Sequence, residues 1–156
     1  MSFLRLAVVA FLCLTQPAIA EQPRLIGSLG QQLSPNDAEA NLRYLGSPHL
    51  WKLQPMLGVS ISSNGSGYIG AGSAITWRTA DQGLFIRVSS IAGIHRRGSG
   101  KNLGGPIMFR TAIDLGVQHH SGREFGIGFD HRSSARLYRP NPGLNTVYLF
   151  ASVPLR

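Results

Sequence analysis

The chain has 156 residues, a formal net charge of +8 and a single cysteine. That length suits one domain, and past residue 20 no cysteine remains to form a disulfide. A basic balance suits an anionic partner; the N-terminus reads as an export signal and no RNA- or DNA-binding motif is present, so an anionic membrane fits better than nucleic acid.

The export signal covers residues 1–20. Arg5 is its charged start, Leu6 to Leu14 its apolar stretch, and Ala18-Ile19-Ala20 a small-residue cleavage site. The apolar stretch is too short to span a bilayer. Cys13 follows Leu12, where a lipoprotein signal wants a small residue, so lipidation is not expected. No later segment is apolar for long enough to be a membrane helix.

From residue 21 onward the pattern is that of strands. Gln22 to Gln32 carries Leu25, Ile26 and Leu29 without clear alternation and is a first strand. Ser34-Pro35-Asn36-Asp37 is a turn. Ala40, Leu42 and Tyr44 then alternate with Glu39, Asn41 and Arg43, and Gly46-Ser47-Pro48 ends that strand. Trp51, Leu53, Leu57, Val59 and Ile61 share one parity of a third strand, before the hairpin signal Ser63-Asn64-Gly65-Ser66. Ile69, Ala71, Ile75 and Trp77 oppose Tyr68, Gly70, Gly72 and Thr76, and Asp81-Gln82-Gly83 turns the chain. Leu84, Ile86, Val88 and Ile94 oppose Phe85, Arg87, Ser89 and His95 in the fifth. A basic, glycine-rich loop, Arg96 to Pro106, follows. Ile107, Phe109, Ile113, Leu115 and Val117 oppose Arg110, Ala112, Asp114 and Gln118, and Ser121-Gly122 leads into the seventh strand. There Phe125, Ile127 and Phe129 alternate with Gly126, Gly128 and Asp130. The last strand, Thr146 to Leu155, sets Val147, Leu149 and Val153 against Thr146, Tyr148 and Ser152.

Eight segments of about ten residues with alternating hydrophobicity predict an all-β fold, an eight-stranded antiparallel transmembrane β-barrel, over residues 21–156. The opposite face is small and polar and holds Arg87, Arg110, Asp114, Glu124 and Asp130, which suits a lumen filled by side chains. A soluble sandwich or lipocalin-like barrel would instead turn the apolar face inward. With the chain starting in the periplasm, the loops at Ser63–Ser66, Arg96–Pro106 and Ser134–Leu144 lie outside the cell.

One place breaks the apolar face. Continuing the parity of Phe125, Ile127 and Phe129 puts His131 and Ser133 on the lipid side, near the outer end of the seventh strand. A histidine and a serine two apart on a strand project side by side. Asn145 opens the eighth strand at the same level, with lipid-side parity judged from Val147 and Leu149. The basic residues Arg96, Arg97 and Lys101 lie at the same end.

The stretches NLGGPIMFRTAIDLGV (102–117), EFGIGFDHRSSARL (124–137) and PNPGLN (140–145) resemble the lipid A 3-O-deacylase (PagL) family. The likeness is best from Asn102 to the C-terminus and traceable from Glu39. It implies an outer-membrane barrel of a Gram-negative bacterium that hydrolyses an ester-linked acyl chain of lipopolysaccharide. It implies Ser133 as nucleophile and His131 as base. Ser134 and Ala135 fall where the oxyanion would be held. Four features depart from the family's pattern. Asn145 stands where members carry a Glu, Ser134 where HxSN has Asn, and Arg136 where Gly is usual. The end, Pro154-Leu155-Arg156, lacks the terminal aromatic common in such barrels.

The chemistry needs a nucleophile, a base and a stabilised oxyanion, with no cofactor and no metal. Glu124 and Asp130 have lumen parity, so Asn145 is left to orient the imidazole. An amide oxygen can accept the ring N–H but cannot neutralise an imidazolium; an enzyme slower than its relatives, or an inactive one, is expected. Arg96, Arg97 and Lys101 read equally as phosphate contacts or as a solvated loop. His119-His120 have no carboxylate partners, so they read as surface residues rather than a metal site. The partners implied are lipid A or lipopolysaccharide, the outer membrane and the barrel-assembly machinery, with a homodimer left open. The competing readings are a non-catalytic structural barrel and a soluble lipid-binding barrel.

Overall fold

The structure, a computed structural model, describes residues 21–79 and 83–155. The export signal predicted over residues 1–20, residues Asp81 and Gln82 of a predicted turn, and Arg156 fall outside the described residues. The strands are β1 (Arg24–Gln32), β2 (Ala38–Leu45), β3 (Gln54–Ser62), β4 (Gly67–Arg78), β5 (Leu84–Arg96), β6 (Ile107–Gln118), β7 (Glu124–Ser133) and β8 (Leu144–Pro154). Each pairs antiparallel with the next, and β8 closes on β1, giving a closed eight-stranded antiparallel barrel. Closure leaves no unpaired sheet edge, the condition for a sheet to sit in hydrocarbon.

Sidedness follows the predicted parity. On β6, Ile107, Phe109, Ile113, Leu115 and Val117 are exposed while Arg110, Ala112 and Asp114 are buried. The outward face is apolar along the strands and the inward face is filled, the reverse of a soluble protein.

The lumen has three parts. One is an apolar cluster that includes Ile26, Met56, Phe85, Met108, Tyr148 and Phe150. A second is a charge network near one end, where Glu124 pairs with Arg24 at 2.8 Å and Arg87 at 2.8 Å and also with Arg78. There Asp114 meets Arg43 and Arg87, and Tyr148 donates its hydroxyl to Asp114. The third lies toward the other end, where Glu39 takes Arg132 at 2.9 Å and Arg110 at 3.0 Å, and Arg110 also binds Asp130. Buried charges persist only when paired, and here each buried carboxylate has a guanidinium partner.

Two elements differ from the sequence expectation. β1 looked irregular because Leu25 and Ile26 are adjacent. Ile26 is in fact fully buried in the luminal apolar cluster while Leu29 faces out. A lumen that accepts apolar side chains blurs the alternation. Trp51 does not lie on β3. It sits with a φ of 60° in a short 3-10 turn, Leu50–Lys52, closed by His49 N–H to Leu53 O at 2.8 Å. That turn follows the Gly46-Ser47-Pro48 break and leaves Trp51 exposed.

The connections 33–37, 63–66, 97–106 and 134–143 share one end of the barrel. The other end carries the connections near residues 46–53 and 119–123, the end of β4 and the start of β5, and the start of β1 and end of β8. Two of the first group are the longest connections, as expected of extracellular loops.

Candidate active site

The alternation at the outer end of β7 is fixed from within. Asp130 points inward to Arg110, and Arg132 points inward with one Nη 2.9 and 3.0 Å from the Glu39 carboxylate oxygens. Between them His131 must point outward, and it is exposed. A one-residue slip would bury His131 and turn both charges to lipid, so the register is strongly specified.

Cross-strand pairing sets His131 opposite Asn145 on β8 and opposite Thr111 on β6. The imidazole Nδ1 and the Asn145 Oδ1 are 2.7 Å apart. An amide oxygen only accepts, so the proton of this bond sits on Nδ1 and Nε2 keeps its lone pair. Ser133 is the next outward residue of β7 and is half-buried. Two places along a strand separate Cα atoms by ~6.6 Å on one face. The structure records no hydrogen bond between the two side chains; catalytic hydrogen bonds often tighten only around substrate.

The loop from β7 to β8 closes over this pair. Gly143 has a φ of +67°, and a Cβ there would lie 2.7 Å from His131 Cε1. A glycine is therefore required for the backbone to lie against the ring. Asn141 Oδ1 accepts the Ser134 N–H at 3.0 Å, and Leu137 N–H closes the turn onto Ser134 O at 2.9 Å. In the sequence Asn141 and Gly143 stood only within the stretch PNPGLN that carries the resemblance, with no role given to either.

Ser134 is not available on the outer face. Its side chain is fully buried, its Oγ has no partner, and its N–H is held by Asn141. β7 ends at Ser133, and this residue keeps the inward parity of the strand. Ala135 is exposed with a φ of 49°, followed by Arg136 at 68°. The N–H groups of Ala135 and Arg136 have no acceptor among the described residues.

The predicted basic residues separate. Arg96 ends β5 and is exposed; Arg97 donates Nε–H to Gly100 O at 3.2 Å; Lys101 is half-buried in the loop. Their loop packs on the loop that follows Ser133. A Cβ at Gly104 would fall 2.2 Å from Pro140 O, and one at Gly105 2.3 Å from the Tyr138 ring.

The register also exposes a low strip leading to the pair. Outward side chains fall in cross-strand rows. One row is Ser73, Ser90, Thr111, His131 and Asn145; beside it run Ala71, Ala92, Phe109 and Ser133. Phe109 on β6 is the one large apolar side chain within these rows, and rows of larger side chains flank them. Ile69, Ile94 and Ile107 stand on the rim side, and Ile75, Val88, Ile113, Phe129 and Val147 on the other. Over β4 and β5 the floor is only alanine and serine. The strip descends from the rim at β8 to the middle of β4, about 19 Å at the usual strand spacing.

The sequence profile described as lipid A 3-O-deacylase (PagL) matches residues 27–154. The chain belongs to the lipid A 3-O-deacylase family. A structure described as the crystal structure of the outer membrane enzyme PagL has a TM-score of 0.67 to this barrel at 18% identity. The match covers 85% of this chain and 99% of that one. A structure described as a de novo design of transmembrane beta-barrels has a TM-score of 0.64 at 7% identity, covering 90% of this chain and 100% of the design. At such identities both likenesses speak for the barrel alone; the design shares the architecture without kinship. Among curated proteins no sequence matches. Membership makes this an outer-membrane barrel of a lipid A deacylase family. Among the described residues, no group of histidine, cysteine and carboxylate side chains could hold a metal.

Proposed function

We propose that this protein is a lipid A ester hydrolase that uses Ser133, His131 and Asn145 on the lipid-facing surface. The observation that supports the reading is the 2.7 Å contact from His131 Nδ1 to Asn145 Oδ1 on the outward face, which leaves the Nε2 lone pair free to act as a base. His131 Nε2 takes the proton of Ser133 as Oγ attacks the acyl carbonyl. The tetrahedral oxyanion is held by the N–H groups of Ala135 and Arg136, since that of Ser134 is engaged. Collapse expels the sugar alkoxide, which takes the proton back from His131, and water then hydrolyses the acyl-serine by the same route reversed. The acyl chain lies along the strip over Ala71, Ser73, Ser90 and Ala92. Arg96, Arg97 and Lys101 offer cations to the phosphates of lipopolysaccharide at the same end.

Purified full-length protein in detergent should remove an ester-linked 3-hydroxyacyl chain from lipid A, read by mass spectrometry. Ser133→Ala should reduce the rate at least ~10³-fold. Equal product from wild type and Ser133→Ala would end this reading.

A second reading is favoured by one observation, the neutral partner of His131. An amide cannot balance an imidazolium in the transition state, which suits a barrel that has kept the fold and lost the reaction. Wild type without deacylation, beside an active Asn145→Glu variant, would select it. Export through residues 1–20, insertion by the barrel-assembly machinery and homodimer formation belong to the same proposal. Cleavage after Ala20, read by the mass of the mature chain, tests the first of these.

A further inference from the structure

A half-open cavity of about 230 Å³ lies at the outer mouth of the barrel, lined by His95, Arg97, Asn102 and the turn 103–106. We propose that it is a binding site for a single phosphate group, either free or carried on a lipid headgroup. The proposal deepens the phosphate contact given above to Arg97 and rests on that reading only there; its test is kept apart from ester cleavage.

Three polar side chains, His95, Arg97 and Asn102, share the lining with apolar Leu103 and Pro106. His95 comes from the luminal side of β5 and is only 6% exposed, yet its Nδ1 has no partner. A buried ring nitrogen without a partner costs free energy unless something fills the space before it. Arg97 is already oriented: its Nε–H is tied to Gly100 O, so both terminal nitrogens are left for a tetrahedral anion, the bidentate geometry that guanidinium suits. Asn102 Oδ1 accepts the Gly104 N–H at 3.0 Å, which turns its amide nitrogen to the free side.

No carboxylate lines the cavity. Of the described acids, the one on the outer connections is Asp37, and it takes the Asn64 amide at 2.7 Å. Around the mouth stand Arg96, Lys101, Arg136 and Arg139. A cation finds one ring nitrogen and no carboxylate here, whereas a hydrogen phosphate meets two donors, Arg97 and Asn102, and in His95 Nδ1 an acceptor for its own P–OH, since the other ring nitrogen is at the Gly67 backbone.

The walls are held rather than loose. Gly98 N–H donates to Ser66 Oγ at 3.1 Å and Ser99 N–H to Asn64 O at 2.9 Å, pinning the Arg97 side to the 63–66 hairpin. His95 N–H donates to Pro106 O at 2.7 Å, and Tyr138 covers Gly105. The volume admits a phosphate group with room to spare.

The test is titration of full-length protein in detergent with inorganic phosphate, and with micelles of bisphosphorylated or dephosphorylated lipid A, by calorimetry. Heat-modifiable migration on gels checks that each variant is folded. Wild type should bind phosphate saturably. Arg97→Gln should weaken binding at least tenfold, and Arg139→Gln, a rim cation outside the cavity, less than twofold. His95→Leu should weaken it while His95→Asn, which keeps a polar atom near the position of Nδ1, retains it. Preference for bisphosphorylated lipid A, relieved by inorganic phosphate, assigns the site to a headgroup; binding of inorganic phosphate with no such preference assigns it to the free anion. Absence of saturable binding to both, equal losses from Arg97→Gln and Arg139→Gln, or full-strength binding by folded His95→Leu would overturn the proposal. No arm reads ester cleavage, so a protein without hydrolase activity can still pass.

Discussion

β7 carries two polar constellations on opposite faces, and they are built differently. Inward, Asp130 and Arg132 enter a network in which Glu39, Asp114, Glu124 and Asp130 all meet arginines. Outward, His131 meets an uncharged amide and Ser133 stands beside it. The nearby carboxylates, Asp130 and Glu39, are held across the wall by guanidinium groups and do not serve His131. The interior is therefore specified by charge pairing, and the outer site by register and by loop backbone. Substitutions on the two faces should fail in different ways: inner ones in stability, outer ones in rate.

The largest expected effect is on the outer face. Asn145→Glu should raise the deacylation rate by about 10²- to 10⁴-fold. An acid-to-amide change in the triad of a serine protease costs about 10⁴ in kcat, and this is the reverse step. Initial rates on lipid A, wild type against variant in one detergent, decide it. A folded variant that is no faster would mean the amide is not what limits the reaction.

Next comes the inner face. Glu39→Gln leaves Arg132 and Arg110 short of a carboxylate in a sealed lumen. Breaking one partner of a buried pair costs about 3–5 kcal/mol. The urea midpoint of unfolding in detergent should fall accordingly, and the outward aim of His131 with it. Lys101→Gln, on an outer loop, should move the midpoint by no more than ~0.5 kcal/mol equivalent. If both variants unfold alike, the interior network is not what holds the register.

Gly143→Ala sharpens the role of loop backbone. The new Cβ meets His131 Cε1 at 2.7 Å, at a φ of +67° that alanine adopts with strain. The ring must turn away from Ser133 or Asn145. Deacylation should fall roughly tenfold or more with the folded fraction nearly unchanged, since left-handed strain at one residue costs ~1–2 kcal/mol. A fall in folding without a fall in specific activity would reverse the assignment.

The fold could be read in the residues because lipid solvates one face of every strand and alternation survives where a wall separates lipid from lumen. It blurred at β1, where Ile26 enters an apolar patch inside, and at Trp51, where a turn imitated strand parity. His131, Ser133 and Asn145 could be placed on one face by the same parity. What parity cannot carry is contact between loops. Asn141 holding Ser134 and Gly143 against the imidazole depend on the path of the loop after Ser133, and Tyr138 against Gly105 joins that loop to the one before β6. Ser134 shows the limit most directly. Its place in the motif put it near the oxyanion, and the end of β7 turns it into the barrel.

The smallest effect tests whether the outer loop stores strain. Arg136 has a φ of 68°, in the left-handed region that favours glycine. A non-glycine residue there costs on the order of 1 kcal/mol. Arg136→Gly should therefore raise the unfolding midpoint slightly, by about 1 kcal/mol, less whatever the added freedom of glycine in the unfolded chain takes back. The backbone N–H at 136 is retained, so the oxyanion donor survives and the deacylation rate should stay within about threefold. The two readouts separate the two roles of the residue. A rise in stability with an unchanged rate means the arginine side chain contributes nothing to the site. A rate that falls while stability rises means its charge holds the substrate, and the phosphate-facing surface then extends from the 97–106 loop onto the loop that follows Ser133.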